Sequence, residues 1–322
     1  MASIVYITDR QMIEYHRING SRTMNFWRAG TTRKIADFQN GDLLFFLAKG
    51  TERGRGREKG IVGYGRFEEI TVASPSQMWK KFETVNGYPN EEAFKEAIIR
   101  TSKKHELPKK ICGLYLADVV YFQSPIYLSD IGIKVSNLVE SFFYLDKEDT
   151  NATTKVLKEA REVGLDMWTA MLSDDSFTME LIEDETVRHN ISQVIQRLSP
   201  IYTEAERKKA IRISDTALRY LEERKIKAYP VKGVPEEFML MSKDRIEIYI
   251  PLVVNTKNVK QKIQLVCGHA AMIRGTLYKQ YPEYYIDTTV IVNRAITEED
   301  RQLIETGNAN YLFLNQEDIP LQ

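Results

Sequence analysis

Apolar positions in the first 146 residues fall in short runs of strand length, rich in β-branched and aromatic side chains: SIVYIT from position 3, DLLFFLA from 42, GIVGYGRFEEITV from 60, ICGLYLADVVYF from 111 and SFFYLD from 141. A helical period covers 91–104. This pattern predicts one mixed α/β domain over 1–146. From 147 to 200 the spacing turns helical, in TTKVLKEAREVGLDMWTAML and TVRHNISQVIQRL with a surplus of acid between them, which reads as a helical connector. The remainder, 201–322, opens on the amphipathic TEAERKKAIRISDTALRYLEERK. Strands are predicted at FMLMS, RIEIYI and LVVNTK, a helix over 259–281, a strand at IDTTVIVN, a helix from 297 and a last strand at YLFLN. The predicted order of this part is α-β-β-β-α-β-α-β, and the fold class of the whole is mixed α/β.

The runs 42–47 and 61–67 flank a polar loop over 49–60, so the region reads as a long hairpin with a charged tip. The tip carries Lys49, Arg53, Arg55, Arg57 and Lys59 against Glu52 and Glu58, and its glycines let a phosphate approach the backbone closely. If the tip is extended, Arg53, Arg55 and Arg57 lie on one side and form a shared phosphate track. The competing reading is a solvated hairpin tip.

Charge alters this picture. Lys plus Arg and Asp plus Glu number 45 each, so no global basic field exists and any attraction for phosphate is local. At 322 residues and 43% hydrophobic content, the chain is long enough for two domains with cores of their own. Cys112 and Cys267 stand far apart in apolar surroundings, which supports neither a zinc cluster nor a disulfide framework and fits a reducing cytoplasm. No basic start followed by an apolar core opens the chain, and no apolar run reaches membrane-spanning length, so cytoplasmic location without membrane contact is expected. His16, His105 and His189 are isolated, and His269 in QLVCGHAAMI reads as a core histidine. Phosphate-binding, dinucleotide-binding and serine-nucleophile motifs are absent.

The residues WRAG (27–30), NGDLLFF (40–46) and VGYGRF (62–67), with Met78-Trp79 and Asn86-Gly87 further on, resemble the EVE branch of the PUA-like β-barrels, to which YTH and ASCH domains are related. The resemblance covers about residues 1 to 145. It implies recognition of a modified nucleobase, extruded and held in an aromatic pocket, where stacking supplies affinity and base-edge hydrogen bonds supply discrimination. Trp27 and Tyr64 are the stacking candidates it points to, with Phe46, Trp79 and Phe26 in reserve. Aromatic residues on strands most often pack in the core, and Asp42 after Gly41 reads first as a turn former that bonds its own backbone.

The C-terminal order resembles the core of the PD-(D/E)XK nucleases, many of them restriction endonucleases. That resemblance implies an acid on the second core strand and an acid-X-Lys on the third, binding a divalent metal and positioning water. Within DRIEIYIPLVVNTKNVKQKIQ, Glu247 (or Asp244) takes the first place and Asn255-Thr256-Lys257 the second, with Glu247 and Asn255 as ligands of Mg²⁺ and Lys257 beside the scissile phosphate. Asn255 departs from the pattern: a neutral amide weakens Mg²⁺ binding unless Glu236, Glu237 or another acid compensates. Gln264 reads as a surface residue. An acid on the solvent face of an alternating strand is also ordinary. The expected function is a modification-dependent DNA endonuclease acting as a homodimer. The alternatives are a non-catalytic reader of modified DNA and an RNA-binding protein.

Overall fold

In the computed structural model, which describes residues 3–29, 35–102, 104–134, 141–166, 175–198, 201–254 and 258–314, the apolar runs form two mixed sheets. Each sheet belongs to one of two compact units, Met1–Val187 and Arg188–Gln322. Among the described residues no helix is long and apolar enough to cross a membrane.

The first unit opens with β1 (Ile4–Thr8) and α1 (Arg10–Ile18), which starts at Asp9 because its carboxylate accepts from the Gln11 NH. Then come β2 (Met24–Arg28), β3 (Leu43–Ala48) and the long β4 (Ile61–Ala73). Ser74 and Gln77 cap each other reciprocally at the start of α2 (Pro75–Phe82), which has proline in its first turn. A 3₁₀ turn, Glu83–Asn86, leads to Gly87, whose φ of 83° suits glycine. Next are α3 (Glu91–Thr101), capped by Asn90, the sixteen-residue β5 (Ile111–Ile126), β6 (Phe142–Tyr144) and α4 (Ala152–Val163). Helix α5 (Asp175–Arg197) crosses the boundary between the units.

Strand order is β2-β5-β4-β3-β1-β6, with β1 and β3 parallel and the other pairs antiparallel. Both faces of this sheet are covered. Leu44 and Phe46 join the core on one side with Trp27, Phe94 and Met78, whereas Leu43, Phe45 and Leu47 join the other with Tyr64, Val156 and Leu157. That is why β3 reads as an unbroken apolar run. Because α4 supplies Ala152, Val156, Leu157 and Ala160 to the second core, the stretch expected as a connector contributes its first helix to this unit.

The second unit contains α6 (Glu204–Glu223), with a Thr203/Glu206 capping box, followed by β7 (Ala228–Pro230), β8 (Phe238–Met241) and β9 (Arg245–Pro251). Then follow α7 (Val259–Gln280), β10 (Tyr285–Val292), α8 (Glu298–Thr306) and β11 (Asn310–Phe313). The sheet order is β11-β10-β9-β8-β7, with β9, β10 and β11 mutually parallel through helical crossovers and β7 and β8 antiparallel. The α-β-β-β-α-β-α-β order therefore stands, but its strands are assigned differently from the sequence reading. The three-residue β7, whose AYP carries almost no strand signal, is the first, and residues 252–254 are not strand.

Candidate nucleic-acid interface

The hairpin between β3 and β4 is built from its base outward. Thr51 Oγ1 donates to Ala48 O at 2.9 Å and accepts from the Gly60 NH at 2.8 Å, while the Ala48 NH reaches Gly60 O. One rung higher, Arg53 and Glu58 exchange both backbone hydrogen bonds, at 2.9 and 3.1 Å. The tip then turns back, with the Arg57 NH donating to Gly54 O and both residues at positive φ. The tip is thus not extended, and the every-second-residue spacing of Arg53, Arg55 and Arg57 does not make a track. Arg53 is half-buried, held against the loop at 127–130, and the other two stand at the exposed turn.

The loop after β5 fixes this hairpin. Tyr127 OH donates to Thr51 O at 2.8 Å, and the Arg53 guanidinium lies 3.6 Å from the centre of the Tyr127 ring. Glu58 accepts from the Ser129 NH and from Ser129 Oγ, at 2.9 and 2.6 Å. Between hairpin and loop lies a cleft of about 1240 Å³, with Ile7, Leu47, Leu128, Ile133 and Phe143 supplying its apolar part. Five cations line it, Arg53, Arg55, Arg57, Lys59 and Lys134, against the two carboxylates Glu52 and Glu58. Both carboxylates are already engaged. Glu58 serves Ser129, and hydrogen bonds from the NH groups of Glu52 itself and Gly50, aided by the charges of Lys59 and Arg57, hold the Glu52 carboxyl below its ordinary range. Among the described residues, Arg55, Arg57, Lys59 and Lys134 have no carboxylate within ion-pair distance. The cleft is a local positive field on a chain of zero net charge.

The aromatic candidates are placed differently. Phe46 and Tyr64 are 0% and 1% exposed and lie in opposite cores. Tyr64 packs between Phe45 and Phe122, and Phe46 packs along Phe26 and Tyr121. Trp27 is buried, its Nε1 donating to Asn86 O at 3.2 Å and its ring edge-on to Phe94, against which Trp79 also packs. In this conformation none of the three buried rings presents an open face to a base, and the structure does not bring Tyr64 together with the tryptophans. Asp42 accepts from the Gln39 NH, as a turn former does. Tyr127, Ser129, Asp130 and Lys134 were not anticipated from the sequence, because nothing in local periodicity links them to a hairpin more than seventy residues earlier.

In the second unit Glu247 lies on β9, where its Oε1 accepts from Thr289 Oγ1 at 2.6 Å. With β7 counted as the first strand, β9 is the third and β8, FMLM, carries no acid. Glu247 then moves to the third-strand position, where the residue two further on is Tyr249 rather than lysine. Asn255 and Lys257 lie outside the described residues. Other acids sit toward the far end of β9 and near the start of β8, and each has a basic partner. Glu206 meets Lys262 at 2.8 Å, Glu236 meets Arg207 at 3.3 Å, and Glu237 meets His269 at 2.9 Å. Burial pushes the Glu237 carboxyl up, with His269 opposing the shift. Among the described residues, no group of three or more His, Cys, Asp or Glu side chains could hold a metal ion.

No family model and no curated protein sequence matches the chain. Among solved structures it is similar to ASCH from Zymomonas mobilis, at 16% identity and a TM-score of 0.35, over 48% of this chain and 93% of that one. A single-residue variant of the same protein gives 15% identity and a TM-score of 0.35, over 48% and 99% of the two chains. Likenesses at this level assign no function.

Proposed function

We propose that this protein binds nucleic acid by its phosphate backbone, in the cleft between the hairpin tip at 49–60 and the loop at 127–134. The observation that carries the reading is the set Arg55, Arg57, Lys59 and Lys134, gathered over an apolar floor with no carboxylate within ion-pair distance among the described residues, on a chain of zero net charge. A local field of this kind gives binding that salt weakens strongly, and phosphate contacts position a polymer without reading its sequence. Stacking on an extruded base is no part of this reading, since Trp27, Phe46 and Tyr64 are packed within the cores.

For the second unit, the order α-β-β-β-α-β-α-β supports kinship with the PD-(D/E)XK nucleases, and the ion-paired acids favour a domain that does not cleave. The protein is thus a nucleic-acid-binding protein with a nuclease-like second unit. Fluorescence anisotropy with labelled duplex DNA, single-stranded DNA and RNA at low and moderate salt tests the binding, and no salt-sensitive binding to any of them would sink it. Incubation with plain and cytosine-modified DNA in Mg²⁺ or Mn²⁺ tests the second part. Intact DNA is expected, and cleavage that disappears in Lys257→Ala would restore the endonuclease.

A further inference from the structure

Helix α7 covers its sheet with Ile263, Val266, His269, Ala270, Ile273 and Leu277, and its opposite face is apolar and open. On that face Leu265, Met272 and Tyr278 are 45%, 58% and 64% exposed, unusually bare for side chains of their size. Between them stand Gly268, Ala271 and Gly275, also exposed. A methyl group on Gly268 or Gly275 would meet nothing within 4 Å, so packing among the described residues does not call for glycine at either position. Each glycine weakens a mid-helix site relative to alanine, and two stand one heptad apart on the same uncovered face. The helix contains no acidic residue, and from Gln264 to Tyr278 its open face carries no charge.

The order of large and absent side chains identifies what fits this face. Leu265 and Met272 are knobs, and Gly268 and Gly275 are holes three residues beyond each. If a second α7 lies antiparallel, Leu265 falls opposite Gly275 of the second copy and Met272 opposite its Gly268. Both pairings share one register, since the two pairs have the same midpoint, Ala270. Self-complementarity about a two-fold axis is what an isologous interface requires, and the missing side chains let the two helices approach closely. The same register sets the exposed Lys279 against Gln261 of the second copy. Beside Gln261 is Lys260, whose Nζ lies 2.6 Å from Glu299 Oε1 in the acidic first turn of α8. The Glu299 side chain is 74% exposed, so each end of the contact brings a lysine to an accessible carboxylate.

We propose that the protein forms a two-fold dimer in which α7 packs antiparallel on α7 of a second copy. Sedimentation analysis of the full chain tests this, with the wild type expected at twice the chain mass at micromolar concentration. Met272→Arg drives a charge into the hole and Gly268→Leu fills it, so each should weaken association by at least ~30-fold. Far-UV circular dichroism should stay unchanged in both, because both positions are exposed. Lys279→Glu should weaken the dimer, and adding Glu299→Lys should restore it. A wild type that stays monomeric up to ~100 µM overturns the proposal. So does a dimer indifferent to Met272→Arg and Gly268→Leu, and failure of the charge swap to restore association overturns the antiparallel register.

Discussion

Arg53 Nη2 lies 2.5 Å from Asp130 Oδ1, which ties the hairpin tip to the loop that follows β5. The same nitrogen reaches Ser129 Oγ and Glu58, and the guanidinium covers the Tyr127 ring, so Arg53 serves to shape the cleft. Removing the Asp130 carboxylate should loosen the tip without touching the strands. In Asp130→Ala, hydrogen exchange should quicken at the paired amides of Arg53 and Glu58 and stay unchanged along β3. Equal exchange at all of them would show that the turn is held by its own backbone bonds.

Much of this architecture was legible in the sequence. The strands around 42–47, 61–72 and 111–122 announced themselves because a sheet covered on both faces selects long apolar runs. The order of elements in the second unit was also legible, although the weak AYP strand was passed over and displaced the strand count. The cleft was not. Its basic tip was visible as composition, but the groups that shape it, Tyr127, Ser129 and Asp130, arrive through tertiary contact alone. The placement of the aromatic residues was illegible for a related reason. A strand pattern reveals that a ring is turned inward, and it does not reveal whether the space it faces is a pocket or packed core.

His16 should make the first unit sensitive to acid. The ring is fully buried, beside the point where a methyl on Gly87 would lie 3.0 Å from Nε2, and burial lowers its pKa from 6.5 to about 4. Between those values the unfolded chain binds the proton and the folded chain does not, so stability falls as pH drops from 6.5 toward 4. The loss amounts to about 3 kcal/mol over that window and is absent above it. Denaturant unfolding at pH 7 and pH 4.5 should show a smaller acid loss for His16→Met than for the wild type. Parallel losses would mean that His16 is reached by solvent.

Arg66 joins two carboxylates in the interior of the first unit. Its Nε donates to Asp118 Oδ2 at 3.0 Å and its Nη2 to Glu185, and both Arg66 and Glu185 are buried. Removing one member strands a buried charge, so Arg66→Ala should cost about 3–5 kcal/mol in chemical unfolding. Arg66→Met combined with Glu185→Leu should cost markedly less than the two single losses added together, since the fully buried Glu185 charge is removed with its partner and only the more exposed Asp118 loses its guanidinium. Additive losses would show that the groups are stabilised independently.

The claim that the cleft grips phosphate rests on charge, and charge can be counted through salt. Four phosphate contacts on a duplex give a slope of log affinity against log salt of about −3 to −4. The direct measurement is that slope for the wild type and for the combined variant Arg55→Ala, Arg57→Gly and Lys134→Ala, where glycine at 57 keeps the positive φ of the turn. The variant should bind more weakly to every sequence and lose about three units of slope. A slope that the three substitutions leave unchanged would place the nucleic acid elsewhere on the chain and contradict the account.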